Sequence, residues 1–181
     1  SYPEVSNLYI ALANLYKLRT KQFVLTAGVD GAIKSCFELF VSKGDTVITL
    51  SPTFAMIDVY SKIFGAKKIN IHYDQKLNLN INYLIKSINR NISLLVIANP
   101  NSPTGTLISM IDMEKIIKRA NAFNVPILVD EAYYGFSNKT VLPLLKKYKN
   151  LIISRTFSKA YGLAGLRVGY IVSNIRIAKL L

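Results

Sequence analysis

The chain has 181 residues, of which 51% are apolar, and it carries a formal net charge of +13. This length and composition suit one folded domain with a substantial core and exclude a disordered chain. No apolar run is long enough to cross a membrane, and the N-terminus lacks a charged-then-apolar signal segment. The single cysteine, Cys36, excludes an intrachain disulfide framework and is compatible with a reducing compartment such as the cytoplasm.

The high positive charge raises the question of a nucleic-acid partner. The basic residues are scattered along the chain, with one dense patch at residues 146–149, and no helix carries a continuous basic face. We therefore expect no nucleic-acid and no membrane partner. Attraction of an anionic small molecule explains the charge equally well, and so does a bias in the coding sequence with no functional meaning.

The apolar spacing predicts a repeated alternation of helices and strands. In chain order we expect a helix at 8–18, a strand at 23–26, a helix at 32–41, a strand at 46–50, a helix at 54–64, a strand at 68–72, a weak helix at 79–88, a strand at 93–98, a helix capped by Ser109 with Asp112, and strands at 126–129, 151–153 and 168–172. No hairpin turn separates the strands. This order predicts an α/β fold with three layers, in which helices cover both faces of a mostly parallel sheet.

Two residues that often bind metals have simpler interpretations here. Cys36 shares an apolar helix face with Ile33 and Phe37, so we expect a packed structural thiol. His72, the only histidine, has no acidic or cysteine partner at ligand spacing and is interpreted as a surface or edge residue. The sequence predicts no metal site.

Polar loops follow several predicted strands. They are Gly28–Asp30, Asn99–Gly105, Asp130–Tyr133 and the loop that carries Lys159. Ligands of parallel sheets bind at the carboxyl ends of the strands, so we expect these loops to gather at one edge. The glycine-bearing turn before the second helix can present backbone N–H groups to a phosphate. Its glycine spacing differs from the dinucleotide fingerprint, and a plain strand-to-helix turn stays an alternative.

Lys159 lies between two predicted strands and follows Thr156 and Ser158. A lysine among hydroxyl donors in such a loop can act as a nucleophile toward carbonyl groups. On these residues alone, a solvated loop lysine remains open.

Five motifs occur together and in a fixed order: TAGVDGAI, SPTFAMI, NPNSPTG, DEAYYGF and RTFSKAYGLAGLRVGY. In order and spacing they resemble the fold-type I pyridoxal-phosphate enzymes, specifically the class I/II aminotransferases, with the histidinol-phosphate aminotransferase branch nearest. The resemblance implies pyridoxal 5′-phosphate as cofactor and Lys159 as the Schiff-base lysine. It also implies that Asp130 pairs with the ring nitrogen, Tyr133 donates to the phenolic oxygen and Phe54 stacks on the ring.

The resemblance further assigns the cofactor's phosphate to the N–H groups of Val29 and Asp30. Thr156, Ser158 and the guanidinium of Arg167 complete that set. Tyr2 stands where the family has a tyrosine that reaches the phosphate of the neighbouring subunit, which implies a homodimer.

One position departs from the family pattern. Ser102 stands before Pro-Thr-Gly, where the family often has an asparagine that bonds the phenolic oxygen. Asn101 is the next candidate for this contact, and Ser102 itself is the other.

Length is the larger departure, since family members are roughly twice as long. We expect residues 1–181 to form the cofactor-binding large domain alone, without an N-terminal segment and a C-terminal small domain. The implied reaction transfers an amino group from an amino acid or a phosphorylated amine such as histidinol phosphate to a 2-oxo acid such as 2-oxoglutarate. A decarboxylase or lyase of the threonine-phosphate decarboxylase type and a catalytically inactive truncated relative stay open as alternatives.

Overall fold

The computed structural model describes residues 4–181, so the predicted phosphate contact of Tyr2 lies outside the described residues. Seven strands form one sheet: β1 (Phe23–Thr26), β2 (Thr46–Ser51), β3 (Lys67–His72), β4 (Ile92–Ala98), β5 (Ile127–Asp130), β6 (Leu151–Thr156) and β7 (Gly169–Ser173). The helices are α1 (Ser6–Tyr16), α2 (Gly28–Phe40), α3 (Ala55–Ile63), α4 (Ile81–Ser87), α5 (Met110–Ala122), α6 (Tyr134–Ser137) and α7 (Ile175–Ala178).

The strand order in the sheet is β1-β7-β6-β5-β4-β2-β3. Neighbouring strands from β6 to β3 are parallel, whereas β7 runs antiparallel to both β1 and β6. The expected mostly parallel sheet is confirmed. The reversal of β7 was not predicted, because β6 and β7 are joined by a long loop that lacks the sequence of a tight hairpin turn. As a result, the carboxyl ends of the other six strands share one edge with the start of β7.

Alternating side chains of the buried strands feed two separate cores. In β4, Leu94 and Val96 pack with α2 and α3 on one face, whereas Leu95 and Ile97 pack with α4 and α5 on the other. This alternation follows from the two-residue period of a strand, and it confirms the three-layer α/β/α architecture.

Most predicted elements are present, with shifted ends. The clearest difference is α2, which begins at Gly28 and not at residue 32. Gly28 adopts a left-handed backbone with φ of +68°, which glycine reaches without steric cost. Apolar spacing marks only the buried face of a helix, so it does not detect this polar, glycine-bearing first turn.

The expectations for three individual residues, Ser109, Cys36 and His72, are confirmed. Ser109 caps α5 by accepting a hydrogen bond from the Asp112 N–H at 3.1 Å. Cys36 is fully buried, and burial raises the pKa of its thiol to about 12, as expected for a packed thiol. His72 is exposed on the edge strand β3. Within residues 4–181, no helix has the length and hydropathy of a membrane span, and no cluster of metal-ligating side chains is found.

Candidate active site

A pocket of about 200 Å³ opens at the edge of the sheet where the loops after β1, β2, β4, β5 and β6 meet. Among the described residues, its walls include every predicted site residue except Asn101: Val29, Asp30, Phe54, Asp130, Tyr133, Thr156, Ser158, Lys159 and Arg167. Ala98, Pro100, Ser102, Ala132 and Ala164 complete the lining. The parallel topology thus brings residues from five separate motifs into one cavity.

Asp130 ends β5 and forms the buried floor of the pocket, with 4% of its surface exposed. Its Oδ1 accepts hydrogen bonds from the Ala132 N–H at 2.9 Å and from Ser154 Oγ at 3.2 Å. Oδ2 has no hydrogen-bond partner in residues 4–181. Burial raises the pKa of Asp130 to about 7, although these two hydrogen bonds act in the opposite direction. A buried carboxyl with one free oxygen is suited to receive a cationic N–H donor from a ligand.

Lys159 lies on the loop between β6 and β7 and is exposed to the pocket. Its Nζ is 5.3 Å from the centroid of the Tyr133 ring, and it forms no ion pair with a carboxylate of residues 4–181. The loop is closed by hydrogen bonds from the Gly162 N–H to the Lys159 carbonyl and from the Leu163 N–H to the Phe157 carbonyl, both at 3.0 Å. The amine is therefore presented to the pocket by an ordered loop, next to an aromatic ring.

The first turn of α2 is suited to bind an anion. In the first turn of α2, the Gly31 N–H bonds the Ala27 carbonyl at 3.3 Å, which leaves the N–H groups of Val29 and Asp30 without partners inside the helix. Arg167 lies against this turn, and a Cβ placed on Gly28 would come within 3.0 Å of its Nη2. Free N–H groups, the positive end of a helix and a guanidinium together form an anion site.

Two hydroxyl side chains, those of Thr156 and Ser158, line the same pocket. Thr156 Oγ1 donates to Ser158 Oγ at 3.0 Å and accepts from the Ser158 N–H at 3.1 Å. Both residues line the pocket, and this geometry holds the two hydroxyl groups side by side.

Of the two candidates for the loop after β4, the structure brings Ser102 to the pocket and not Asn101. The Asn101 side chain is buried and donates to the Pro52 carbonyl at 3.0 Å and to Thr104 Oγ1 at 2.8 Å. Its Oδ1 accepts from Thr53 Oγ1 at 2.8 Å. These bonds occupy the amide, so Asn101 fastens its own loop to the one that carries Phe54.

The sequence analysis did not predict a buried ion pair that lies next to the pocket residue Asp130. Arg155 and Glu131 form an ion pair at 2.7 Å, with side chains only 3% and 1% exposed. The sequence contains a hint of each partner: a second acidic residue, Glu131, directly follows Asp130, and Arg155 lies inside a strand that begins with an apolar run. Ser154, which donates to Asp130 Oδ1, gave no such signal, because a single uncharged hydroxyl at the end of an apolar run does not reveal its partner.

The chain is similar in sequence to histidinol-phosphate aminotransferases. The histidinol-phosphate aminotransferase of Caldanaerobacter subterraneus subsp. tengcongensis is 39% identical over 180 residues, which are 99% of this chain and 50% of that protein. The histidinol-phosphate aminotransferase of Thermoanaerobacter pseudethanolicus is 43% identical over 155 residues, 85% of this chain and 43% of that protein. The chain thus spans about half the length of the curated relatives that it matches.

Solved structures show the same fold. The histidinol-phosphate aminotransferase of Sinorhizobium meliloti, in complex with pyridoxal-5′-phosphate, has a TM-score of 0.86 and 28% identity, covering 99% of this chain and 49% of that one. The sequence family described as aminotransferase class I and II matches residues 2–181. The resemblance inferred from the five motifs is confirmed, and the chain belongs to the class I and II aminotransferases.

Proposed function

We propose that the chain is the cofactor-binding part of a pyridoxal-phosphate-dependent aminotransferase. In the full-length protein it transfers an amino group from histidinol phosphate, or a similar phosphorylated amine or amino acid, to a 2-oxo acid such as 2-oxoglutarate. The observation that carries this proposal is the convergence, in one pocket, of a buried carboxyl, a free lysine amine and an anion site. These three groups match the ring nitrogen, the aldehyde and the phosphate of pyridoxal phosphate.

The pocket fits this cofactor in its chemistry as well as in its parts. Asp130 has a free oxygen on a buried carboxyl, and a protonated ring nitrogen is the partner that would satisfy it. Phe54 and Ala132 supply apolar wall for the flat faces of the ring. Tyr133 and Ser102 supply hydroxyl groups for the phenolic oxygen. The first turn of α2, with Thr156, Ser158 and Arg167, would hold the phosphate.

The proposed roles follow from these positions. Bound pyridoxal phosphate supplies an electron sink that stabilises negative charge at the substrate Cα. Asp130 would hold a positive charge on the ring nitrogen, which that chemistry requires. Lys159 would hold the cofactor through Nζ, and its amine would carry a proton to and from the substrate Cα.

We further propose that residues 1–181 form one large domain and that the full-length protein is a cytoplasmic homodimer in which Tyr2 reaches the partner's phosphate. Exposed apolar side chains on α1, Ile10 at 51% and Leu15 at 65%, support a contact surface there. Sedimentation of the full-length protein tests this assembly. A monomer that binds the cofactor tightly, with Tyr2→Phe leaving the affinity unchanged, would contradict it.

The cofactor proposal is tested by adding pyridoxal phosphate and recording the visible absorbance. We expect a band of lysine-bound cofactor in the wild type and in Lys86→Ala, which removes an exposed lysine of α4. Lys159→Ala should lose that band. A band that persists in Lys159→Ala, or no band in the wild type, would remove the proposal.

A further inference from the structure

We propose that Arg155 is a positioning residue, which acts through Glu131 and α6 to set where the loop of Lys159 stands in the pocket. The inference rests on the role proposed for Lys159 and adds residues to which the five-motif resemblance assigned no part. Neither Arg155 nor Glu131 lines the pocket, so any effect on the site has to pass through other residues.

The first link is the buried ion pair. Arg155 donates from Nε at 3.0 Å and from Nη2 at 2.7 Å to Glu131 Oε2. Glu131 also accepts from Thr140 Oγ1 at 2.8 Å and, through Oε1, from the Val141 N–H at 2.7 Å. Burial acts to lower the pKa of Arg155, but the charge of Glu131, together with the neighbouring Tyr16 and Tyr170, keeps it above its ordinary value. A buried ion pair adds little stability over apolar packing, so its clearest effect here is to fix the guanidinium relative to the end of β5.

The second link is the stacking of the guanidinium on Tyr134. The Cζ atom of Arg155 is 3.7 Å from the centroid of the Tyr134 ring, which belongs to α6, and 4.9 Å from that of Tyr16. Its Nη1 is buried and has no hydrogen-bond partner in residues 4–181. The two rings therefore set the orientation of this half of the guanidinium. A planar guanidinium can stack on them, whereas a lysine ammonium cannot.

The third link joins α6 to the lysine loop. Gly135 follows Tyr134, and a Cβ placed on it would lie only 2.3 Å from the Cβ of Ala160. Ala160 is the residue directly after Lys159, so the backbone of α6 forms the surface on which the loop rests. A shift of α6 by the size of a methyl group would displace Lys159. Displacements of about 1 Å in reacting groups can cost on the order of a hundredfold in rate.

The matched pair Gly135→Ala and Gly165→Ala isolates this contact. Gly165 lies on the same loop, but a Cβ there would meet no atom within 4 Å, and its backbone needs no positive φ. In a second pair, Tyr134→Leu removes the ring under the guanidinium and Tyr134→Phe keeps it. Tyr134→Phe is a matched control because the Tyr134 hydroxyl makes no hydrogen bond in the described chain. Both pairs avoid substituting the buried charges, where a variant could fail to fold.

The first measurement is hydrogen exchange of the Gly162 and Leu163 amides in cofactor-free protein, because these amides close the lysine loop. We expect Gly135→Ala and Tyr134→Leu to accelerate exchange there by roughly tenfold, while Gly165→Ala and Tyr134→Phe match the wild type. The second measurement is the rate at which added pyridoxal phosphate binds Lys159, followed by visible absorbance. The same two variants should slow it by roughly tenfold or more, at an unchanged melting temperature.

The two measurements separate the proposals. Wild-type exchange and wild-type binding rates in Gly135→Ala and Tyr134→Leu would overturn the positioning role. Accelerated exchange in these variants would support that role even where the wild type failed to bind the cofactor, and that failure would count only against the proposed function.

Discussion

Arg167 Nη2 donates to Asp30 Oδ2 at 3.2 Å, and this contact joins the loop of Lys159 to the first turn of α2. The two side chains are 53% and 40% exposed, so the pair contributes little to stability. Its consequence is geometric, because it keeps the guanidinium beside the free N–H groups of Val29 and Asp30. The start of β7 also lies close to the start of α2. Gly169 permits this, because a Cβ on Gly169 would lie 2.7 Å from the carbonyl carbon of Gly28.

The first prediction concerns the anion site. Arg167→Ala should weaken binding of pyridoxal phosphate by roughly tenfold or more, because a charge-assisted contact to phosphate is lost, and Arg167→Lys should weaken it less. Titration by absorbance measures both affinities. Binding of pyridoxal, which lacks the phosphate, should stay at the wild-type value in each variant. Arg176→Ala on α7 is the control for loss of one exposed positive charge. An equal loss of affinity for both ligands would contradict the assignment of Arg167 to the phosphate.

The second prediction follows from the pKa of Asp130, which burial raises from 3.8 to about 7. Between these values the folded, cofactor-free protein holds a proton that the unfolded chain has released, so this group makes the free energy of unfolding fall as pH rises from about 4 to about 7. Asp130→Asn removes the dependence. We expect it to be more stable than the wild type at pH 8 by about 2–4 kcal/mol and nearly equal in stability at pH 4.

Urea unfolding of both cofactor-free proteins at the two pH values measures this difference. The same substitution should weaken cofactor binding, because an amide cannot balance a charged ring nitrogen. If Asp130→Asn were less stable than the wild type at pH 8, burial would not raise the pKa of Asp130 as described.

The third prediction separates Asn101 from Ser102. Asn101→Ala removes three hydrogen bonds of a buried side chain and should lower the free energy of unfolding by about 1–3 kcal/mol. Ser102→Ala should leave stability within about 0.5 kcal/mol and weaken cofactor binding instead. Urea unfolding and cofactor titration of each variant give the comparison. If Asn101→Ala kept its full stability but bound the cofactor more weakly, Asn101 and not Ser102 would be the residue that contacts the phenolic oxygen.

The fourth prediction concerns the reaction class. Full-length protein incubated with histidinol phosphate and 2-oxoglutarate should form glutamate, and Lys159→Ala should form none. Other amino donors, offered one at a time, establish the preference. Release of carbon dioxide from an amino-acid substrate without glutamate would favour the decarboxylase alternative.

The sequence predicts some parts of this molecule well and others poorly, for physical reasons. Strands β5 and β6 begin with the continuous apolar runs 127–129 and 151–153, the pattern expected of strands covered on both faces, and polar residues follow each run. Asp130 and Lys159 could therefore be assigned to one edge of the sheet from their places in the sequence. The choice between Asn101 and Ser102 depends on the backbone direction in a loop, which residue type does not encode. The pairing of Arg155 with Glu131 depends on a contact between distant segments, which periodicity cannot detect.

Identifying the lysine that holds pyridoxal phosphate tests the proposed role of Lys159 directly. Full-length protein is mixed with pyridoxal phosphate, reduced with borohydride and digested, and the labelled peptide is sequenced by mass spectrometry. We expect one dominant label, on Lys159, that disappears in Lys159→Ala. A label spread over the exposed lysines, or one that persists on another residue in that variant, would contradict it.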